Sequence, residues 1–215
     1  MSNIVNPLIE EYIRNLNLPS ESLLRSMEDY ATVNHVPIVQ PEVAKLLEVI
    51  IKISAAKKVL EVGTAIGYSA IVICGAMDKG RVVTIEKRKD MIQLAEKFIK
   101  EAGYQEQIQV IHGNAEEILP ILDEEFDVIF LDAAKGKYLD FFNSCSRLLK
   151  NGGVLISDNV LYKGMVASDE YVVRRKKTIV TRMRTYLDYI MGNPDFSSCI
   201  IPIGDGVAIS YRVKF

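Results

Sequence analysis

Two carboxylates and one carboxamide follow apolar runs of this sequence, at points where a buried strand would give way to a loop. Asp132 comes directly after "VIFL", and Asp158 and Asn159 come directly after "VLIS". Carboxylate and amide oxygens are the ligands that Mg²⁺, Mn²⁺ and Ca²⁺ prefer. The pattern therefore predicts a divalent-cation site made of Asp132, Asp158 and Asn159. Each Asp would also suit the N-terminus of a following helix as a cap.

Lys135 follows Asp132 by three residues. A dication disfavours the ammonium form of a nearby lysine by like-charge repulsion, and the neutral amine can then act as a general base. We therefore predict that Lys135 is a catalytic base. The alternative is an ordinary surface lysine, and Lys137, two residues further on, shows how common such a residue is.

A second group of residues indicates a nucleoside-binding site. The loop "EVGTAIGYS" carries Gly63 and Gly67, but Ala65 stands where a dinucleotide-binding GxGxxG loop has the glycine that approaches the pyrophosphate. Glu86 ends the next apolar run, where a carboxylate accepts hydrogen bonds from both ribose hydroxyls. A tight turn or a helix cap would explain either feature alone. Together they favour a nucleoside ligand without phosphates.

The elements that must position these residues alternate along the chain from residue 58 onward. Short apolar runs are separated by amphipathic helical patterns, which predicts parallel strands joined by right-handed crossovers. The predicted parallel strands are "KVLEVG", "RVVTIE", "IQVIHG", "FDVIFLD" and "GGVLISD", the last one preceded by a turn at "KNGG". "CIIPIG" and "VAISYRV" add a C-terminal β-hairpin, which completes a doubly wound, mostly parallel α/β sheet of seven strands.

Three segments with helical periodicity precede the first strand, and the third of them begins at Pro41. A long helix is also predicted through "RRKKTIVTRMRTYLDYI". We expect a single domain over residues 1–215, with an N-terminal helical cap over 1–55 and the ligand-binding sheet with its helices over 56–215.

The composition is that of an ordinary globular protein. Apolar residues make up 49% of the 215 residues and charged residues 25%, which excludes a disordered or low-complexity chain. No apolar run is long enough to span a bilayer, and the start "MSNIVNPLIEEY" lacks the pattern of an export signal, so we expect a cytoplasmic protein without a membrane partner. Three widely spaced cysteines indicate reduced core thiols.

The segment "RRKKTIVTRMR" carries six cations and no acid in a chain whose net charge is −2. Such a concentrated positive face suits nucleic-acid phosphates, and Arg174, Arg175, Lys176 and Lys177 are its candidate RNA contacts. A solvated helix face is the alternative.

Five motifs resemble those of the metal-dependent O-methyltransferases of the catechol and caffeoyl-CoA type, which use S-adenosylmethionine (SAM). They are "VLEVGTAIGYSA", "VVTIE", "FDVIFLDAAK", "GGVLISDNVLYKG" and "IPIGDGVAIS", in the family's order. The resemblance implies a Rossmann-like methyltransferase fold, with SAM and Mg²⁺, or Mn²⁺ or Ca²⁺, as cofactors. The resemblance implies that Asp132, Asp158 and Asn159 bind the metal and that Lys135 is the base. It implies that Glu86 holds the ribose and that Asp132 also contacts the cofactor. It further implies that Gly63, Ser69 and the backbone of Val36 and Ile38 lie near the methionine end, with Asn114 and Ala115 beside the adenine.

Within this family, Ala133 and Ala134 depart from the bulky residues of the catechol enzymes, and the chain has no Trp. The chain most resembles the bacterial tRNA 5-hydroxyuridine methyltransferases, which implies methylation of wobble 5-hydroxyuridine to 5-methoxyuridine. We accordingly expect a tRNA anticodon stem-loop as substrate and a homodimer, with methylation of small catechol-like phenols as the alternative. A NAD oxidoreductase would lack support from the first glycine loop, and a non-catalytic RNA-binding module would leave the acidic residues unexplained.

Overall fold

Seven short apolar segments form one central sheet in the computed structural model, which describes residues 4–17 and 22–213. The strands are β1 (Lys58–Val62), β2 (Arg81–Glu86), β3 (Ile108–His112), β4 (Phe126–Leu131), β5 (Leu149–Ser157), β6 (Phe196–Ile201) and β7 (Val207–Arg212). Their spatial order is β3-β2-β1-β4-β5-β7-β6. Strands β1 to β5 are parallel, while β7 runs antiparallel to both β5 and β6. The predicted seven-stranded α/β sheet with a C-terminal hairpin is confirmed.

This strand order creates a switch point between β1 and β4. The chain builds outward from β1 through β2 to β3 on one side, then returns to place β4 and β5 on the other. The crossover connections diverge there, and a crevice opens beyond the carboxyl ends of the strands. Ligands of such folds bind in that crevice, so the residues after β1 and β4 are placed to contact a ligand.

Helices cover both faces of the sheet. They are α1 (Pro7–Leu16), α2 (Ser22–Asn34), α3 (Pro41–Ser54), α4 (Tyr68–Ala76), α5 (Lys89–Glu101), α6 (Ala115–Ile118), α7 (Tyr138–Leu148) and α8 (Lys177–Gly192). Val128 and Phe130 pack into the core under α2 to α5, whereas Ile129 and Leu131 pack into the core under α7 and α8. Burial on both faces explains why "VIFL" is a continuous apolar run. Among the described helices, none combines the length and apolarity needed to cross a bilayer.

Two predicted boundaries are wrong. The segment "KNGG" is not a turn before β5 but lies inside that strand, where the register shifts and Gly152 has a φ of +80°. Lys150 holds this irregular stretch to the sheet because its Nζ lies 2.6 Å from Oδ1 of Asp127 on β4. The helix predicted from Arg174 begins at Lys177. No side chain caps the amides after Val173, and residues 174–176 form a separate 3₁₀ turn.

Helix α1 is tied to the body by one side chain. Arg14 donates from Nε and one terminal nitrogen to both carboxylate oxygens of Glu42 at 2.9 Å, and donates to Oε1 of Gln40 at 2.8 Å. Glu42 is only 3% exposed. Because α1 itself buries no residue, this ion pair and its hydrogen bonds are its principal polar anchor to α3.

We predict that Arg14→Ala lowers the free energy of unfolding by about 2 kcal/mol, because a buried carboxylate loses its charged partner. Amide hydrogen exchange across residues 7–16 should accelerate in the same variant. Lys52→Ala is the matched control, since it breaks an exposed i,i+4 pair with Glu48 and should cost less than about 0.5 kcal/mol. Equal losses in the two variants would contradict the assigned role of Arg14.

Candidate active site

The predicted site residues at one edge of the sheet are held by hydrogen bonds that continue the sheet beyond its strands. The first residue after each of β1, β3, β4 and β5 donates its amide to a carbonyl of the neighbouring strand. The pairs are Gly113 N to Glu86 O (2.9 Å), Gly63 N to Ile85 O (3.0 Å), Asp132 N to Val62 O (3.0 Å) and Asp158 N to Leu131 O (2.9 Å). The positions of the functional residues are therefore fixed by the backbone register.

A cavity of about 240 Å³ opens at this edge, beyond β1, β2 and β4. The predicted cofactor residues Gly63, Glu86, Asn114, Ala115 and Asp132 all line it. Its other lining residues are Val62, Ile85, Lys87, Gly113, Ala133, Ala134 and Phe141. The structure thus brings together five of the eight residues that the sequence assigns to the cofactor.

Gly63 is required by its geometry. Its φ is +108°, and an added Cβ would lie 2.1 Å from the carbonyl oxygen of Asp132. The backbones of the β1 and β4 loops therefore meet without an intervening side chain, and the cavity wall at this point is bare backbone. A bound ligand can approach that backbone closely.

The Glu86 carboxylate is oriented by backbone amides before any ligand binds. Its Oε2 accepts from the amide of Ala65 at 3.0 Å, and its Oε1 accepts from the amides of Lys87 and Arg88 at 2.9 Å. The carboxylate joins the glycine loop to the end of β2, and its remaining lone pairs are available to hydroxyls in the cavity. This arrangement fits the predicted role of Glu86 as a ribose acceptor.

The sequence analysis missed Glu61, a fully buried carboxylate in β1. Its Oε2 accepts from the Thr84 hydroxyl at 2.5 Å, while its Oε1 has no partner among the described residues. Burial raises the pKa of Glu61 to about 7, opposed by the hydroxyls of Ser69 and Thr84. The signal for this residue in the sequence is a single acid inside the apolar run "VLEV".

Three predicted cofactor residues do not line the cavity. Ser69 is buried in the first turn of α4, close to Glu61. Val36 and Ile38 lie in the segment between α2 and α3, where their side chains pack against the core on that face of the sheet. Their backbone contact with the cofactor stays a prediction.

The predicted cation ligands and Lys135 lie together beside this cavity. Lys135 donates from Nζ to Oδ1 of Asn159 at 2.7 Å. Asp158 is 2% exposed, and its Oδ1 accepts from the amide of Asn159 at 2.7 Å. Behind it, the buried Tyr138 hydroxyl donates to the Asp158 carbonyl at 2.7 Å. Asp158 and Asn159 are therefore held from both sides, and Lys135 already contacts one of them.

The two acids destabilise each other's ionised form. Burial raises the pKa of Asp158, and the charge of Asp132 raises it further. Burial also raises the pKa of Asp132, while the Lys135 ammonium opposes this increase. Two buried like charges are costly unless a cation compensates them, so this pair has the chemistry of a cation site.

The donor set fits a hard divalent cation. Within residues 4–17 and 22–213, no three His, Cys, Asp or Glu side chains converge, so the two acids would need a further oxygen ligand. Asn159 supplies one on the residue next to Asp158, and its φ of +56° is a conformation that Asn tolerates better than most residues. Two carboxylates and one amide leave coordination positions for water or substrate.

The basic segment does not line the cofactor cavity. Arg174, Arg175 and Lys177 are exposed, and the Nζ of Lys176 lies 5.9 Å from the ring centre of Tyr162. The cations later in the segment serve the fold itself. Arg184 donates to Asp169 and to the carbonyls of residues 165 and 166, and Arg182 donates to the carbonyl of Gly136.

Comparison with known proteins settles the family. The model of the O-methyltransferase family matches residues 20–213. The chain belongs to this family. A catechol O-methyltransferase from Niastella koreensis is 35% identical over 176 residues, which cover 79% of this chain and 80% of the relative. The methyltransferase is thus of the catechol and caffeoyl-CoA type.

Two solved structures support this assignment. A Staphylococcus aureus protein provisionally named as a caffeoyl-CoA O-methyltransferase is 34% identical with a TM-score of 0.89, covering 95% of this chain and 99% of that one. An O-methyltransferase from Bacillus cereus in complex with S-adenosylhomocysteine (SAH) is 27% identical with a TM-score of 0.84, covering 95% and 97%. The Bacillus cereus relative thus binds SAH, which agrees with the SAM dependence that the five motifs imply for this family.

We predict that Glu61→Gln flattens the pH dependence of stability. The folded-state pKa of Glu61, about 7, lies above its ordinary value of 4.5. The stability tied to its protonated form is therefore present below about pH 4.5 and lost as the pH rises through 7, on the order of 3 kcal/mol for this shift. Denaturant unfolding of the ligand-free protein at several pH values measures the slope.

In Glu61→Gln, the decline in unfolding free energy over this pH range should be smaller than in the wild-type protein. Glu117→Gln, an exposed carboxylate on α6, is the control and should leave the decline unchanged. A decline of equal size in Glu61→Gln and wild type would contradict the raised pKa.

Proposed function

We propose that this O-methyltransferase methylates one oxygen of a vicinal oxygen pair on a catechol-like phenol, with a divalent cation held by Asp132, Asp158 and Asn159. The observation that carries the proposal is the pair of buried acids, Asp132 and Asp158, whose charges repel each other directly beside the cofactor cavity. Asp132 is a member of this pair and also lines the cavity. The 35% identity to a catechol O-methyltransferase supports the choice of a small phenol.

The chain's own residues would perform distinct parts of the reaction. Bound SAM supplies an electrophilic methyl group, and a bound dication would make a phenolic oxygen more acidic. Glu86 would hold the ribose, and Gly63, Asn114 and Ala115 line the cavity around the cofactor. These contacts orient the cofactor within the cavity, and orientation of the reacting groups lowers the barrier to methyl transfer.

Lys135 would take the proton of the reacting hydroxyl at Nζ. The structure favours this role by position, since Nζ contacts Asn159 and its charge acts on both acids. For Lys135 to accept a proton, its amine must be neutral, and a dication on Asp132 and Asp158 would favour that form by repulsion. The acids and the lysine thus act as one unit.

We expect Asp158→Ala to lower catechol O-methylation roughly 100-fold or more, because one charged cation ligand is lost. Its affinity for SAH should stay within about twofold of wild type, since Asp158 does not line the cofactor cavity. Methyl transfer is measured as SAH formed and as methylated product by mass spectrometry, with and without a chelator. Asp78→Ala, an exposed acid, is the control. Full turnover after exhaustive chelation would refute the cation role.

A second candidate substrate is tRNA carrying wobble 5-hydroxyuridine, whose 5-hydroxyl and 4-carbonyl also form a vicinal oxygen pair. One observation favours it, the exposed basic segment at Arg174, Arg175 and Lys177. This segment reaches toward the site, because Lys176 contacts Tyr162, three residues after Asn159. Phosphates of an RNA stem-loop are the ligands that such a cluster would take.

If tRNA is the substrate, replacing residues 174–177 by Ala should weaken tRNA binding and reduce its salt slope by about one for each lost phosphate contact. Catechol methylation by the same variant should be unchanged, because the cofactor cavity and the acids are not altered. The control replaces four exposed lysines elsewhere, namely Lys79, Lys89, Lys97 and Lys100. Unchanged methylation of 5-hydroxyuridine tRNA in the basic-segment variant would contradict the RNA-binding role of the segment. Failure of the wild-type enzyme to methylate that tRNA would leave the catechol-like phenol as the proposed substrate.

A further inference from the structure

The segment that carries Asn159 has an unusual backbone. Asn159, Tyr162 and Lys163 all have positive φ, at 56°, 46° and 59°. A positive φ raises the conformational free energy of any residue other than glycine. Asn tolerates it because its short polar side chain can hydrogen-bond to the nearby backbone, which Tyr and Lys side chains do not do. A segment with three such residues keeps its shape only when contacts from outside it hold each one in place.

The turn between β6 and β7 bonds three residues of this segment, namely Val160, Leu161 and Lys163, and Lys163 is the positive-φ residue among them. Gly206 accepts from the amide of Val160 at 2.9 Å through its carbonyl, and Asp205 accepts from the amide of Leu161 at 3.0 Å through its carbonyl. The Asp205 side chain adds a third bond, because its Oδ1 accepts from the amide of Lys163 at 2.5 Å. Only this third hydrogen bond depends on a side chain.

The turn itself is fitted closely to the segment. Gly206 has a φ of +86°, and an added Cβ would lie 2.3 Å from Cγ of Leu161. The packing of Leu161 against Gly206 therefore fixes the turn, and with it the distance between Asp205 and Lys163. Because the turn connects two paired strands of the sheet, it holds the segment after β5 in a fixed position relative to the sheet.

We propose that Asp205 is a positioning residue for the cation site: its carboxylate holds Lys163 in the left-handed conformation and so fixes the segment that places Asn159 beside Asp158 and Lys135. The inference rests on the proposed cation role of these residues. Asp205 acts through the backbone of Lys163, and its charge also acts on Asp158 and Lys135. Outer contacts of this kind typically change metal affinity about 10- to 100-fold when they are removed.

The test is calorimetric titration of MnCl₂ into the full chain saturated with SAH. Asp205→Ala should weaken Mn²⁺ binding about tenfold, while SAH affinity stays within about twofold of wild type. Asp205→Asn keeps an oxygen acceptor for the Lys163 amide and should lose less affinity than Asp205→Ala. Asp195→Ala, in the turn before β6 and exposed, is the control and should bind Mn²⁺ as wild type does.

A rescue experiment separates positioning from charge. Glycine adopts a positive φ without strain, so Lys163→Gly in the Asp205→Ala background should recover most of the lost affinity. Lys163→Ala in that background removes the same cation without freeing the backbone and should not. Hydrogen exchange of the Lys163 amide, which needs no metal, should be faster in Asp205→Ala than in wild type.

Three results would overturn the inference. Mn²⁺ affinity of Asp205→Ala within twofold of wild type would show that the hydrogen bond is dispensable. Equal loss in Asp205→Asn and Asp205→Ala, without rescue by Lys163→Gly, would assign the effect to charge. Equal loss of SAH and Mn²⁺ binding would assign it to general damage. If wild type and Asp158→Ala both fail to bind Mn²⁺, the proposed cation role falls as well, and that result is recognisable from the wild-type titration alone.

Discussion

The active site depends on a row of amide hydrogen bonds that extend the sheet by one residue past its strands. Gly113, Gly63, Asp132 and Asp158 each donate to the neighbouring strand, so their spacing is inherited from the spacing of parallel strands. Sheet hydrogen bonds are protected by the cores on both faces and move little. The backbone at Gly63, the cofactor cavity and the two acids are therefore held at fixed distances from one another by the hydrogen bonds of the sheet itself.

That fixed separation has an electrostatic cost. Asp132 and Asp158 are brought close enough for each to oppose ionisation of the other, and Lys135 offsets part of that repulsion. Asp132 also lines the cofactor cavity. One carboxylate would therefore serve both the cofactor cavity and the proposed cation site, and the two ligands would then influence each other's binding.

Much of this arrangement could be predicted from sequence because the strands of a parallel sheet have a simple sequence pattern. Strands buried on both faces are continuous apolar runs, and the residue after each run lies at one edge, which is how Asp132, Asp158 and Glu86 were found. The features that were not predicted from the sequence depend on residues distant along the chain. The bulge in β5 depends on Asp127, the contacts of the 159–163 segment come from the C-terminal turn, and an acid inside a strand shows its role only when its surroundings are known, as with Glu61.

The 3₁₀ turn at residues 174–176 and the loop before it lie outside the register that fixes the acids and the cofactor cavity. Arg184 anchors this loop through the carbonyls of residues 165 and 166, and leaves the residues between that anchor and α8 free of the sheet. Sequence changes in this loop and turn would alter the protein surface without disturbing the hydrogen bonds that hold the acids and the cofactor cavity. The architecture thus separates the part of the chain that holds the reacting groups from a part whose sequence can change without moving them.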